Sequence, residues 1–197
     1  LKQIVEGVTT GCLRAGCSLV GGETAIHPGD MDEGHYDLAG FCVGVVERDK
    51  AITGANIKSG DVVLGLSSTG LHSNGYSLAR KVVFDHAKLT VDKEVRELGT
   101  TVGAAMLEPT RIYVKPILEL LKKYDGQNVI HGLAHITGGG LVDNIPRILP
   151  QGLQVNLRRG SWPMPAILPW IQKLGTIEQA EMDRVFNGGL GFVVIVA

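Results

Sequence analysis

Glycine is gathered at the joints of this chain. Gly21-Gly22, Gly138-Gly139-Gly140 and Gly188-Gly189 each stand where one apolar, periodic stretch gives way to the next. Glycine supplies 27 of the 197 residues, near twice the usual ~7%. Because the clusters interrupt periodic apolar segments, they describe neither collagen nor a low-complexity linker. Backbone at such joints turns tightly or comes close to something else. The chain therefore has to fold as short regular elements with bare-backbone connections, and those connections are where function is sought.

Charge narrows the partners. Lys and Arg number 19 against 20 Asp and Glu, a net charge of -1. No basic field gathers nucleic acid or anionic membrane. No apolar run approaches the roughly 20 residues of a membrane span. Cys12, Cys17 and Cys42 lie in apolar stretches and read as small buried thiols in a reducing compartment, so a cytoplasmic protein is expected. Leu1 begins within a helical pattern and Ala197 closes an apolar run, so both ends are expected to be cuts.

The spacing of Ile4, Val8 and Cys12 predicts an amphipathic helix over 2–15. Strands are predicted at 18–20 and 36–47, with a polar loop between them. A domain boundary is expected in the turn-rich stretch 49–60, giving domains 1–52 and 53–197. Beyond it, strands are expected at 62–66, 129–136 and toward the end of the chain. Helices are expected near 77–87, from Pro109 through Tyr124 with a kink at Pro116, and near 141–148 and 162–174. The alternation predicts an α/β or α+β layered fold.

Four segments carry candidate chemistry. Thr137-Gly138-Gly139-Gly140, between strand and helix, presents N–H groups to an anion or makes a tight turn; His135 adds a donor or is structural. The connection from Ser67 to Tyr76 concentrates serine, threonine, histidine and asparagine. That density suits a phosphorylated polar ligand, with His72 moving a proton, although Ser73 or Asn74 could simply cap a helix. Glu23, between Gly22 and Thr24, is a carboxylate at a strand end that either holds Mg²⁺ or lies in an exposed turn. Asn187, before Gly188-Gly189, reads as a bend or a ligand contact. Asp30, Asp32, Glu33, His35 and Asp37 match no metal signature and read as a solvated loop. The chain has no Walker A, HExxH or GxSxG sequence.

Taken in order, Gly-Gly-Glu-Thr-Ala (21–25), Tyr-Asp-Leu-Ala-Gly-Phe-Cys-Val-Gly (36–44), Gly-Leu-His-Ser-Asn-Gly-Tyr-Ser-Leu-Ala-Arg-Lys (70–81), Pro-Thr-Arg-Ile-Tyr-Val-Lys (109–115), Ala-His-Ile-Thr-Gly-Gly-Gly (134–140), Asn-Ile-Pro-Arg (144–147) and Phe-Asn (186–187) resemble the phosphoribosylformylglycinamidine cyclo-ligase (aminoimidazole ribonucleotide synthetase) family. Thiamine-monophosphate kinase and selenophosphate synthetase share that superfamily but lack these segments in this form. The resemblance implies the end of an N-terminal ATP-binding, dimer-forming domain and most of a C-terminal domain. It implies ATP and Mg²⁺ as cofactors, a small ribonucleotide substrate and a homodimer. By the same resemblance Glu23, with Gly22 and Thr24, serves nucleotide and metal. His72, Ser73, Asn74 and Gly75 line the cleft, and His135 with Thr137, Gly138 and Gly139 holds a phosphate. The chain departs from the family at Ile26-His27-Pro28, and near Gly188 where Met is common. The family's N-terminal Lys and paired Asp motifs have no counterpart, so the chain alone is expected to be inactive.

Overall fold

The computed structural model describes every residue except 27, 28, 30 and 33. It divides into two compact units, Leu1–Ala51 and Ile52–Ala197. In the first, α1 (Lys2–Ala15) ends in a Schellman turn: Gly16 is left-handed, Cys17 N donates to Cys12 O at 3.1 Å and Gly16 N to Leu13 O at 3.3 Å. The strands expected at 18–20 and 36–47 do not form. A strand exists only through a partner's hydrogen bonds, and the described residues of this unit offer none; only a single 3₁₀ turn, Arg48–Lys50, follows α1. Val20, Phe41 and Val45 are accordingly 95%, 95% and 97% exposed. The cysteines depart from expectation for the same reason: Cys17 and Cys42 are exposed and Cys12 half-buried, because no second layer covers them. Asp30 and Glu33 of the acidic cluster, and His27 and Pro28, lie outside the described residues. Asp32 and His35 are exposed, as a solvated loop requires.

The second unit is built on one strand. Its sheet has β1 (Val62–Ser67), β4 (Ile130–His135) and β5 (Leu190–Val196) in the order β1-β5-β4, both pairings antiparallel. The run Leu-Gly-Phe-Val-Val-Ile-Val has no polar alternation because β5 is covered on both faces. Val193 and Ile195 pack with Ile57, Ala134, Ile136 and Ile145 on one side. Val194 packs with Tyr113 and Ile117 on the other. The second face is closed by α4 (Val114–Lys123), whose Ile117, Leu120 and Leu121 share one helical stripe. A further layer contains α2 (Tyr76–Arg80), continuing as a π-helix over Lys81–His86, with α3 (Val102–Met106), α6 (Ile167–Gly175) and α7 (Gln179–Val185), which gather around Phe186, Leu168 and Ile171. A small hairpin, β2 (Glu94–Val95) with β3 (Thr100–Thr101), leads into α3. Neither hairpin nor α3 is foreseen by the periodicity, both being too short to register.

Prolines act differently from expectation. The helix predicted from Pro109 begins only at Val114, and that near 162 begins at Ile167. Pro116 and Pro169 are each the third residue of their helix, where the missing N–H has no intrahelical acceptor to lose, so neither has to kink it. At Pro146 the helix α5 (Gly140–Asn144) gives way to a 3₁₀ turn, Pro146–Ile148. At the far end of the sheet a bulge between Ile130 and Gly132 turns His131 toward Asp61. Its Nδ1 lies 2.6 Å from Asp61 Oδ2 and its Nε2 3.0 Å from Asn128 O. The bond from His131 holds the Asp61 carboxyl below its ordinary value.

Gly140 docks α5 on α7. Its φ is +61°, and a Cβ there would stand 2.0 Å from Asp183 O and 2.7 Å from Phe186 O. Backbone cannot yield as a side chain does, so Gly140→Ala is expected to destabilise the unit by at least about 2–3 kcal/mol. Urea denaturation checks this; a shift under half that size would mean that α5 docks elsewhere.

Candidate functional site

Antiparallel pairing on both sides of β5 makes β1 and β4 parallel to one another. Both leave the sheet where β5 enters it, with Leu66 and His135 each registered opposite Phe192. The connections after β1 (67–75), after β4 (135–140) and before β5 (187–189) therefore converge at one end of one sheet. His72, Ser73, Asn74, Gly75, His135, Thr137, Gly138, Gly139 and Asn187 are thereby brought together. Gly22, Glu23 and Thr24 belong to the first unit, all three exposed.

Asn187 ties the strand entry to the first loop. It is fully buried. Its Nδ2 donates to Gly70 O at 2.8 Å and Leu71 O at 3.3 Å, while Oδ1 accepts from Ser68 Oγ at 3.1 Å and Gly189 N at 2.9 Å. Both donors and both lone pairs of the amide are engaged by protein. Of the two readings open in the sequence, the bend is the one this geometry describes. The first and second loops are joined by Thr137 Oγ1 donating to Asn74 Oδ1 at 3.1 Å. Asn144, buried in α5, holds the glycine turn from beneath: Nδ2 donates to Thr137 O, Gly138 O and Gly140 O at 3.2, 3.1 and 2.8 Å. Among the described residues no acceptor engages the N–H of Gly138 or Gly139.

His72 is 4% exposed, with φ +58°. Its Nε2 accepts the N–H of Thr69 at 3.1 Å and that of Arg111 at 3.4 Å. An acceptor at Nε2 fixes the proton on Nδ1, which is buried without a partner. Burial, then the nearby His135 and Arg111, pushes the pKa of His72 down. The ring is thus a neutral clamp between two backbone segments in this conformation. Gly191 lets it in: a Cβ there would meet Tyr113 Oη at 2.2 Å and His72 Cε1 at 2.5 Å.

The segment 109–113, expected to open a helix, completes the wall instead. Thr69 Oγ1 donates to Pro109 O at 2.7 Å, Ser73 and Thr110 hydroxyls lie 3.2 Å apart, and Tyr113 Oη donates to Ser67 O at 2.9 Å. Arg111 Nη1 donates to Ser67 Oγ at 3.0 Å. The missed residues are Arg111, Thr110, Tyr113 and Asn144. Signals for them existed in the polar Pro-Thr-Arg run and in an Asn four residues beyond a glycine turn. At the surface, Ser73, His135 and Gly138 are exposed, with Asn74 and Thr137 half-buried beside them.

The match to known proteins is decided by the unit that carries these loops. Residues 58–197 match the family described as AIR synthase related protein, C-terminal domain, and residues 1–46 the corresponding N-terminal domain. The chain belongs to the AIR synthase related protein family. Among its relatives, a protein of Syntrophus aciditrophicus named phosphoribosylformylglycinamidine cyclo-ligase is 53% identical over 99% of this chain and 55% of its own length. One of Desulfatibacillum aliphaticivorans with the same name is 52% identical over 98% of the chain and 55% of its length. One of Geobacillus sp., again so named, is 48% identical over all of the chain and 56% of its length. The chain spans about 55% of the length of these AIR synthase relatives. The α/β character expected from the sequence agrees with membership of this family, whose two domains are both represented.

Two outcomes test the site. Asn187→Ala would orphan two carbonyls and two donors, and is expected to lower stability by on the order of 3 kcal/mol in urea titration. Native His72 resists protonation more than the unfolded chain does. Stability should therefore fall as pH drops below 6.5, the ordinary value. His72→Asn, which tolerates positive φ, should flatten that part of the profile; an unchanged slope would show that another group titrates there.

Proposed function

We propose that the chain carries the ribonucleotide-binding part of an ATP-dependent ligase that closes formylglycinamidine ribonucleotide to aminoimidazole ribonucleotide, releasing ADP and phosphate, in purine biosynthesis. The observation that carries this reading is the convergence of three donor-rich loops at one sheet end, within a unit matched over 58–197 to the AIR synthase C-terminal domain. The names of the relatives supply the reaction.

The substrate's amide oxygen is activated by phosphorylation; an amidine nitrogen then attacks that carbon, closing the five-membered ring as phosphate departs. Such chemistry asks the protein for orientation and for groups facing developing negative charge. The unengaged N–H groups of Gly138 and Gly139 and the His135 ring meet that requirement. Ser73 and Asn74 offer hydroxyl and amide to the sugar and amidine groups. His72, neutral and with Nε2 engaged, acts as a positioning residue in this conformation; proton transfer through it requires the Thr69 and Arg111 bonds to open.

The proposed reaction takes ATP as its phosphoryl donor. For Mg²⁺, no group of three or more His, Cys, Asp or Glu is found among the described residues. Glu23, exposed and without an ion-pair partner among them, supplies one carboxylate. One carboxylate suffices where nucleotide phosphates and water complete the shell, and the ion then neutralises phosphate charge. Residues 1–52 form the nucleotide and dimer part in this proposal, and 53–197 the substrate part. The exposed apolar run from Leu38 to Val46 supports self-association into a homodimer. No described helix is long and apolar enough to cross a membrane, and three free thiols agree with a cytoplasmic setting.

ADP release tests the proposal, using protein of the relatives' full length that carries this chain, with the 197-residue chain alongside. ADP should form with formylglycinamidine ribonucleotide and not without it, and the shorter chain should be silent. Turnover only with thiamine monophosphate or selenide would sink the reaction while keeping the superfamily.

A further inference from the structure

The loop end of the sheet is rich in neutral donors and poor in positive charge. Across segments 67–75, 107–113, 135–140 and 186–191 the only lysine or arginine is Arg111. Helix α5, which follows the glycine turn, has only five residues, so its dipole contributes little. The turn also carries a negative charge of its own. Asp143 folds back on Gly139, with Oδ2 2.7 Å from where a Cβ would stand. A phosphate dianion held by Gly138 and Gly139 alone would face that carboxylate uncompensated.

Arg111 is built to supply the missing charge. Its guanidinium is exposed, and Ser67 Oγ, at 3.0 Å, is its hydrogen-bond partner among the described residues. No carboxylate there is paired with it, Glu108 and Asp143 included. Four of its five N–H donors stay available. Its backbone, by contrast, is fastened: its own N–H is bonded to His72 Nε2 at 3.4 Å, Pro109 O accepts from Thr69, and the Tyr113 hydroxyl reaches Ser67 O. This segment has neither helix nor strand to hold it, yet it is bonded to the first loop along its length. A fixed stem with a free, planar, permanently charged head suits fork-like recognition of a phosphate. His135 stands within electrostatic reach of the same His72 ring, and its own ring neighbours Phe192, as Tyr113's does.

We infer that Arg111 is a phosphate-binding residue of this site, gripping a phosphate group together with Gly138 and Gly139; the inference rests on the ribonucleotide reading above. The phosphate is either the 5′-phosphate of the ribonucleotide or a phosphate of the nucleotide. The chemistry of recognition is the same for both.

Calorimetric titration of the 197-residue chain with ribose 5-phosphate and, separately, with ADP tests it. The parent chain should bind at least one of them, and Arg111→Ala should weaken that binding about tenfold or more. Arg111→Lys should recover only part of the loss, because a point charge lacks the fork. Arg96→Ala, which removes an exposed charge elsewhere, should change affinity less than about twofold. Urea midpoints of the variants should match the parent, since the guanidinium is exposed. Loss confined to ribose 5-phosphate assigns the site to the substrate, and loss confined to ADP assigns it to the nucleotide; either supports Arg111. Binding of neither ligand by the parent, or an Arg111→Ala affinity within about twofold of it for both, overturns the inference. Full-length protein that still makes ADP in that case keeps the ligase reading. Full-length protein that makes none sinks the ligase reading, while the titration still decides Arg111.

Discussion

The amide of Asn187 is the tie on which the loop end of this sheet depends. Strand β5 must enter between β1 and β4, and its entry passes directly beneath the loop leaving β1. A side chain with two donors and two lone pairs, fully enclosed, makes four hydrogen bonds at once, three to backbone and one to the Ser68 hydroxyl. No apolar residue of that volume could do so, since each bonded backbone group would then be buried unpaired. With that tie in position, Ser67 is held at the end of β1. From Ser67 follow the anchoring of Tyr113 and the hydrogen bond to Arg111.

The same logic gives His72 a different part from the one its residue type suggests. Histidine near neutral pH invites a proton-transfer role. Here, however, two backbone N–H groups converge on Nε2, and burial disfavours the charged ring. A protonated imidazole would present a donor to two donors and release both Thr69 and Arg111. Keeping the ring neutral keeps the wall intact. The nearby His135 and Arg111 act in the same direction as burial.

Much of the second unit was legible in the sequence because its signals are local. The apolar run 192–196 announced a strand, and the glycine clusters marked turns. The α4 stripe could be read, though its start could not, since Pro109 looked like a helix opener while the segment it begins is held by side-chain bonds. The partners of those bonds lie about 40 residues away in sequence, from Thr69 to Pro109 and Ser67 to Arg111, beyond any periodicity. Arg111 was hidden for that reason. The first unit was misread for the opposite one. Val and small residues from 36 to 47 have strand chemistry, but a strand is a relation between two segments, and the described residues of this unit hold no partner for it. Buried thiols were inferred from the same assumption, and fall with it.

A site of this composition also explains why so few charges are present. In the proposed reaction phosphate departs at each turnover, and a site that held it too tightly would gain nothing. Backbone N–H groups and hydroxyls orient an anion without the strong attraction of clustered cations. Asp143, folded onto the glycine turn, weakens the hold of that turn further. Arg111 and Asp143 carry opposite charges at this end of the sheet, unpaired with one another. Orientation comes from the many neutral donors, while affinity rests on a single charge. That division fits a chain whose net charge is only -1.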